Sequence, residues 1–288
     1  MIVSVASGKG GTGKTTVAAS LVSVWSRPVA AVDLDVEEPN LHLFLKPDLA
    51  GPEPVYMEIP VVDWGKCTLC GACSDFCQFK AIALLGASLH VFPDMCHGCG
   101  GCLALCPEQA LTPGQRQLGE VEAGMAGTAD FLMGRLRVGE AMSPPLMRAV
   151  KQRLGRLLAT SGGDAVIDSP PGVSCPAVTA VMDSDFILLV TEPTPFGFHD
   201  FRLAVEAFSP LGAPLGAVIN RAGEGDLTVQ AYCRERGIPI LAEILFSRAI
   251  AEGYARGRVV ADLSPELRAL FESLRDSIQA AVREAAHA

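Results

Sequence analysis

Five short stretches of the chain carry an unbroken apolar core and end on polar or turn residues. They are 2–6 (IVSVA), 28–35 (PVAAVDLD), 164–172 (DAVIDSPPG), 185–193 (DFILLVTEP) and 215–221 (LGAVINR). Strands covered on both faces read this way, because neither face meets water. Between them, apolar positions recur at helical spacing over 14–25, 144–160, 176–183, 198–209 and 247–256. Strands alternating with helices predict an α/β fold built on a doubly wound, mainly parallel sheet. Ligands of such sheets bind beyond the carboxyl ends of the strands, where DLD (33–35) and DSPPG (168–172) fall. A last helix is predicted over 263–285, apolar at Leu263, Leu267, Leu270, Phe271, Leu274, Ile278 and Val282. Its Arg268, Arg275 and Arg283 are offset by Glu266, Glu272, Asp276 and Glu284. A membrane-surface helix carries a basic polar face, so this one is expected to pack on the sheet.

The alternation breaks between about 60 and 113, where eight of the ten cysteines crowd between 67 and 106. This stretch is an internal repeat. CTLCGACSDFCQFKAI (67–82) aligns with CHGCGGCLALCPEQAL (96–111). The expected organisation is a first part of the α/β domain over 1–59, a small α+β insert over 60–113, and the second part of the α/β domain over 114–288. Residues 115–138 are expected to supply further strands leading back to the main sheet. A chain of 288 residues accommodates a large domain and a small one. No apolar run is long enough for a bilayer, and the N-terminus enters a strand and a glycine loop, so a cytoplasmic protein without stable membrane insertion is expected. The net charge of −9 argues against a nucleic-acid partner. In a reducing compartment the cysteine density points to metal or redox chemistry.

The first strand runs into SGKGGTGKTT. Gly8, Gly13, Lys14 and Thr15 fit the phosphate-binding pattern G-x-x-x-x-G-K-[ST] between a strand and a helix. The backbone of Gly8, Lys9, Gly10, Gly11, Thr12, Gly13, Lys14, Thr15 and Thr16 would cradle phosphates at a helix N-terminus. Lys14 would reach the β- and γ-phosphates and Thr15 would ligate Mg²⁺. Lys9, directly after the first glycine, narrows the pattern. It resembles the deviant Walker motif of the MinD/ParA-type ATPases of the SIMIBI class, the superfamily that includes the nitrogenase iron protein. That resemblance implies a homodimer in the ATP state, with Lys9 reaching the nucleotide of the partner subunit. It implies that Asp33 and Asp35 form the first switch, Asp35 positioning water, and that Asp168 holds Mg²⁺ through water. Pro170, Pro171 and Gly172 would be the second switch. Asn220 and Arg221 resemble the family's base-recognition strand end. No N-K-x-D guanine motif occurs, which favours ATP and ADP over guanine nucleotides. The catalytic set implied is Lys9, Lys14, Asp35 and Asp168. The resemblance covers 1–59 and about 114–260. Leu245 departs from it, standing where many relatives have proline.

Each half of the repeat reads C-x₂-C-x₂-C-x₃-C, the bacterial ferredoxin arrangement, in which the fourth cysteine of a run serves the other cluster. The expected ligand sets for two [4Fe–4S] clusters are therefore Cys67, Cys70, Cys73 and Cys106, and Cys96, Cys99, Cys102 and Cys77. Pro107 follows the second run as in ferredoxins, whereas Gln78 takes that place after the first. Zinc is the competing metal, but zinc sites use separated pairs rather than tandem quartets. His97 reads as a solvated loop residue. Cys175 follows Asp168 by seven residues, as a cluster cysteine follows the second switch of the nitrogenase iron protein, but it has no second cysteine to match. Packing is its default reading, and Cys233 on a helical segment also reads as structural.

The whole resembles a MinD-type ATPase with an inserted two-cluster ferredoxin domain. An ATP-driven dimeric switch coupled to electron transfer, acting on a redox partner protein, is the first expectation. An iron–sulfur or metallocofactor assembly carrier is the second. A spatial organiser like MinD and ParA, with structural clusters, is the third.

Overall fold

The computed structural model describes residues 1–223 and 225–285. The chain opens with β1 (Ile2–Ala6), α1 (Lys14–Ser23), β2 (Val29–Asp33), α2 (Leu41–Leu45) and β3 (Asp48–Val62). A small cysteine-rich module follows: α3 (Ala72–Phe76), β4 (Ile82–Leu85), β5 (Ser88–Val91) and α4 (Gly101–Leu105). The chain returns through β6 (Leu111–Ala126) and β7 (Ala129–Leu136). It then alternates α5 (Ser143–Ser161), β8 (Asp164–Asp168), α6 (Cys175–Val181), β9 (Phe186–Thr191), α7 (Pro195–Phe208), β10 (Leu215–Ala222), α8 (Thr228–Arg236) and β11 (Ile240–Leu245), and ends in α9 (Arg248–Ala255) and α10 (Pro265–Ala285).

Among the described residues nine strands form one sheet in the order β11-β10-β9-β1-β8-β2-β7-β6-β3. The pairs from β11 to β7 are parallel, and β6 and β3 add an antiparallel edge. The five strands read from apolar runs all lie in the parallel part. Helices cover both faces. On one, α1 and α10 pack with β1 and β2 around Val5, Leu21, Phe131, Phe271 and Leu274. On the other, α7 and α8 bury Phe201, Phe208 and Val229 against β9 and β10. Beside them α5 buries Leu146, Met147 and Val150 against β2 and β7. The terminal helix therefore spends its apolar stripe on the core, with Phe271, Leu274 and Ile278 fully buried. No helix among the described residues is long and apolar enough to cross a membrane.

The expected return strands over 115–138 are β6 and β7. Four elements of the sheet domain lie outside the strands and helices read from the sequence: α2, β3, α8 and β11. β3 is an edge strand, largely exposed and carrying Pro52, Pro54 and Pro60. Proline is tolerated at an edge, where its missing N–H faces no partner. β3 pairs with β6 along nearly its whole length, from Asp48 opposite Met125 to Val62 opposite Leu111. β7 accompanies β6 only over Gly119–Ala126. The far half is thus a two-stranded ribbon, and the cysteine-rich module sits at its tip. Asp63 N–H donates to the Ala110 carbonyl at 2.7 Å, so both chain ends of the module leave from one point.

That geometry makes the module removable. Replacing residues 63–110 by Asn-Gly, a pair suited to a two-residue hairpin turn, should leave a cooperatively folded chain. Circular dichroism and a thermal melt check this; loss of the cooperative transition would show that the module is part of the sheet domain's core.

Candidate functional site

The loop between β1 and α1 is shaped by contacts that only glycine permits. A side chain at Gly8 would lie 1.9 Å from the Asp200 carbonyl oxygen on α7. Gly13 sits at φ +97°, and a Cβ there would meet Asn220 Nδ2 at 2.3 Å. Asn220, at the end of β10, donates that Nδ2 to the Thr12 carbonyl at 2.8 Å. Arg221 donates to the Gly11 carbonyl at 3.3 Å. The two residues expected near a base thus brace the loop in this structure.

Lys9 and Arg221 share a partner that the sequence reading missed. Glu192, just past β9, accepts from Lys9 Nζ at 2.5 Å and from Arg221 Nη1 at 2.6 Å. Burial pushes its carboxyl up, but Lys9 and Arg221 together outweigh burial and hold it below the usual carboxylate range. Only its place at a strand end in TEPTPFGFHD could have pointed to it. Lys9, expected to reach a partner subunit, is held within its own chain here.

Beneath the loop three carboxylates converge. Asp33 ends β2 and Asp168 ends β8, and the parallel register places them opposite each other. Both are buried, at 0% and 1% exposure. Asp33 is satisfied by the chain itself: Oδ1 accepts from Asp35 N–H at 3.0 Å, and Oδ2 from Asn40 and Leu41 N–H at 2.9 Å each. It therefore shapes the loop after β2 and the start of α2. Burial, then the Asp168 charge, push its pKa up. Asp168 accepts from the Thr15 hydroxyl at 2.6 Å, while its other oxygen, Oδ1, is buried without a partner. Burial raises its pKa too, against the Lys14 charge and the Thr15 bond. A buried, half-partnered carboxylate beside a threonine hydroxyl and a buried lysine suits a divalent cation. Ser169 Oγ and Thr12 Oγ1 are also buried without partners.

Asp35 lies at the mouth. Burial, and the Asp168 charge acting against Lys14, raise its pKa to about 6. It lines a cavity with Glu37, Glu38, Pro170, Pro171 and the loop Arg137–Glu140, so both predicted switch segments face one space.

The eight clustered cysteines surround two cavities. Cys67, Cys70, Cys73 and Cys106 line one; Cys96, Cys99, Cys102 and Cys77 line the other. The fourth cysteine of each run thus faces the other run's cavity. Among the described residues no group of three or more His, Cys, Asp or Glu side chains is placed to hold a single metal ion. Burial, then Cys96, push the Cys102 thiol up to about 11. Gly101 lies where a side chain would collide with Phe76, 2.3 Å away. His97 stacks on Phe79 with ring centroids 3.5 Å apart. Cys175 is exposed at the start of α6. Cys233 is buried in the core, its thiol pushed up to about 11 by burial, as a packing residue should be.

Comparison with known proteins places the phosphate loop in a family. The model of the CobQ/CobB/MinD/ParA nucleotide-binding domain matches residues 3–260. An uncharacterized protein of Methanocaldococcus jannaschii is 30% identical over 285 residues, 96% of this chain and 98% of that protein. The structure of the cell division ATPase MinD of Pyrococcus furiosus aligns with a TM-score of 0.58 at 23% identity, over 97% of this chain and 98% of that one. The septum site-determining protein MinD of Pyrococcus horikoshii, solved with Mg-ADP, aligns with a TM-score of 0.56 at 21% identity, covering 96% and 95%. Both share the fold.

The raised pKa of Asp35 has a signed consequence. A carboxyl whose pKa rises from the ordinary 3.8 to about 6 on folding costs nothing below its unfolded value. The cost grows as pH rises and is complete above the folded value. Asp35→Asn should therefore stabilise the protein by about 1–2 kcal/mol at pH 7.5, allowing for solvent at the half-buried group, with the gain fading towards pH 4. Urea denaturation at the two pH values reads this, and a gain independent of pH would refute it.

Proposed function

The chain belongs to the CobQ/CobB/MinD/ParA nucleotide-binding family, and from that membership we propose that it is an ATP-hydrolysing dimeric switch whose inserted module holds two [4Fe–4S] clusters for nucleotide-gated electron transfer to a partner protein. The observation that carries the redox half is the crossing of the quartets: each cavity is lined by three cysteines of one run and the fourth of the other. That is the ligand exchange of two-cluster ferredoxins. One-electron oxidation and reduction is the chemistry such clusters supply when bound. The module's share is to hold thiolates at fixed points around each cavity. Gly71 and Gly100, both at positive φ, start α3 and α4 beside the cavities. Cys70 and Cys99 are exposed, so each quartet has one member at the surface, where a partner protein can dock within short range.

In the ATPase half, the N–H groups of Gly8–Thr16 would take the phosphates and Lys14 the charge between the β- and γ-positions. Thr15 and Asp168 would hold Mg²⁺, Asp168 through the buried oxygen that has no protein partner. Asp35, at the mouth, would orient the attacking water, and its raised pKa lets it accept a proton near neutrality. Asn220 and Arg221 lie beside the loop, where the base of a bound nucleotide is expected in this family. Lys9 would exchange Glu192 for the nucleotide of the partner subunit as the dimer closes.

Anaerobically purified protein should contain about eight iron and eight sulfide per chain. Cys77→Ser should perturb the electron-paramagnetic signal of the group held by Cys96, Cys99 and Cys102 and leave the other. One equivalent of zinc with little iron would overturn the redox half.

Lys14→Ala should weaken binding of an ATP analogue by about 10–100-fold, the loss of a charge-assisted contact. Lys9→Ala should bind the analogue nearly as wild type but stay monomeric with it. Light scattering decides, and an analogue-induced dimer of Lys9→Ala would remove the shared-site argument.

A further inference from the structure

A line of polar contacts, exposed at its ends and buried at Ser143, Glu140 and Arg116, runs from the first switch loop to the cysteine module, and none of its hydrogen bonds reaches the phosphate loop. It begins at Glu37, two residues after Asp35. The Ser143 hydroxyl, at the start of α5 and 1% exposed, donates to Glu37 Oε1 at 3.1 Å. Just before it, Ala141 and Met142 N–H donate to Glu140 Oε1 at 3.0 and 2.9 Å, so Glu140 closes the turn that starts α5. The other oxygen of Glu140 holds Arg116 of the β6 ribbon. Both side chains are out of solvent, at 0% and 7% exposure. Arg116 then reaches into the module. Its Nη1 lies 3.4 Å from Asp94 Oδ1, and its Nη2 donates to the Cys96 carbonyl at 3.5 Å. Arg137 adds a second cation on Asp94 at 3.2 Å. The Arg116 Nε is buried with no partner.

A buried guanidinium facing a buried carboxylate is an expensive arrangement, which an apolar pair could replace without loss of stability. Its placement suits a connection better than a brace. It stands where the ribbon meets the loop Arg137–Glu140, and that loop lines the same cavity as Asp35, Pro170 and Pro171. A shift of Glu37 that breaks the Ser143 contact loosens the start of α5 and with it the carboxylate that fixes Arg116. The carbonyl at the other end belongs to Cys96, first of the thiols around the second cavity.

We propose that Ser143, Glu140 and Arg116 are positioning residues that transmit a nucleotide-dependent change in the first switch loop to the Asp94–Cys99 segment, so that nucleotide binding and the electronic state of the quartet Cys96, Cys99, Cys102 and Cys77 are linked. The redox part rests on the cluster reading above; the mechanical part does not. Linkage is reciprocal. If an ATP analogue binds the oxidised and reduced forms with tenfold different affinity, it shifts the one-electron potential by about 59 mV.

The test uses the full chain, purified anaerobically, as wild type, Ser143→Ala and Glu140→Gln. Glu140→Gln keeps an acceptor for Ala141 and Met142 while removing the charge opposite Arg116, and Ser143→Ala cuts the line far from the module. Hydrogen exchange with and without a non-hydrolysable ATP analogue reads the mechanical part, whatever the module holds. In wild type the analogue should change exchange of Asp94–Cys99 at least threefold, and each variant should lose most of that change while binding the analogue within about twofold of wild type. Redox titration of the same samples reads the electronic part: the analogue should shift one potential in wild type and by less than half as much in each variant. Analogue-dependent exchange or potential that survives in both variants overturns the proposal, as does a wild-type segment that ignores the analogue. Protein without iron but with the exchange pattern intact would overturn the cluster reading alone and leave the connection standing.

Discussion

Two carboxylates set the terms for this molecule. Asp33 and Asp168 end neighbouring parallel strands in register, both shut away from water. Like charges so placed repel, and each is costly to desolvate. The surrounding chain is arranged to offset this. Asp33 takes three backbone N–H groups, which bend the chain after β2 into the loop that carries Asp35 and Glu37. Asp168 takes the Thr15 hydroxyl and the Lys14 charge, which locks the start of α1 beneath the phosphate loop. One oxygen is left over. A site held open in this way gains most from a cation, so the loop after β2 is tied to whatever the phosphate loop binds.

The edge of the sheet follows from a different constraint. An exposed edge strand invites pairing with another chain, and β3 blunts that risk with prolines, charge and register shifts near Pro52 and Tyr56. The same irregular ribbon then runs past the end of β7 and carries the cysteine module out from the sheet. Close crossings hold it in shape: a side chain at Gly119 would strike the Arg135 carbonyl, and one at Gly124 the Asp48 carbonyl. The module is joined through two adjacent chain ends, but it is not free to swing. Met57 and Glu58 of β3 lie against Gly98, and Arg116 of β6 holds Asp94 and the Cys96 carbonyl.

Much of this was legible in the sequence, for reasons visible residue by residue. Ile2–Ala6 reads as a strand because both its faces are buried, and Gly8 and Gly13 after it stand where a side chain has no room. Asp33 and Asp168 stand out as charges at the ends of apolar runs. The crossed lining of the two cavities was legible because the repeat resembles the bacterial ferredoxin arrangement, in which the fourth cysteine of a run serves the other site. β3 was not, since an edge strand buries too little to leave an apolar run. Nor was Glu192, which is defined by two cations distant in sequence, at Lys9 and Arg221. Arg116 and Glu140 were hidden for the same reason: a buried ion pair between a ribbon and a loop leaves no periodic mark.

The crossing of the quartets also bears on how a local change spreads. If each run lined only its own cavity, a displacement at Cys96 would stay with one site. Here Cys106, at the end of the same run, lines the cavity of Cys67, Cys70 and Cys73, and α4 joins it rigidly to Cys102. In return Cys77, at the end of α3, lines the cavity of the second run. Phe76 packs against Gly101 at the junction of the two short helices, with no space for a larger residue. Packed interiors yield by discrete rearrangement rather than by gradual deformation. On the proposed reading, a movement delivered to the Cys96 carbonyl would therefore reach both cavities. That would make the module respond to the switch loop as one unit, through whichever of its two ends the sheet domain holds.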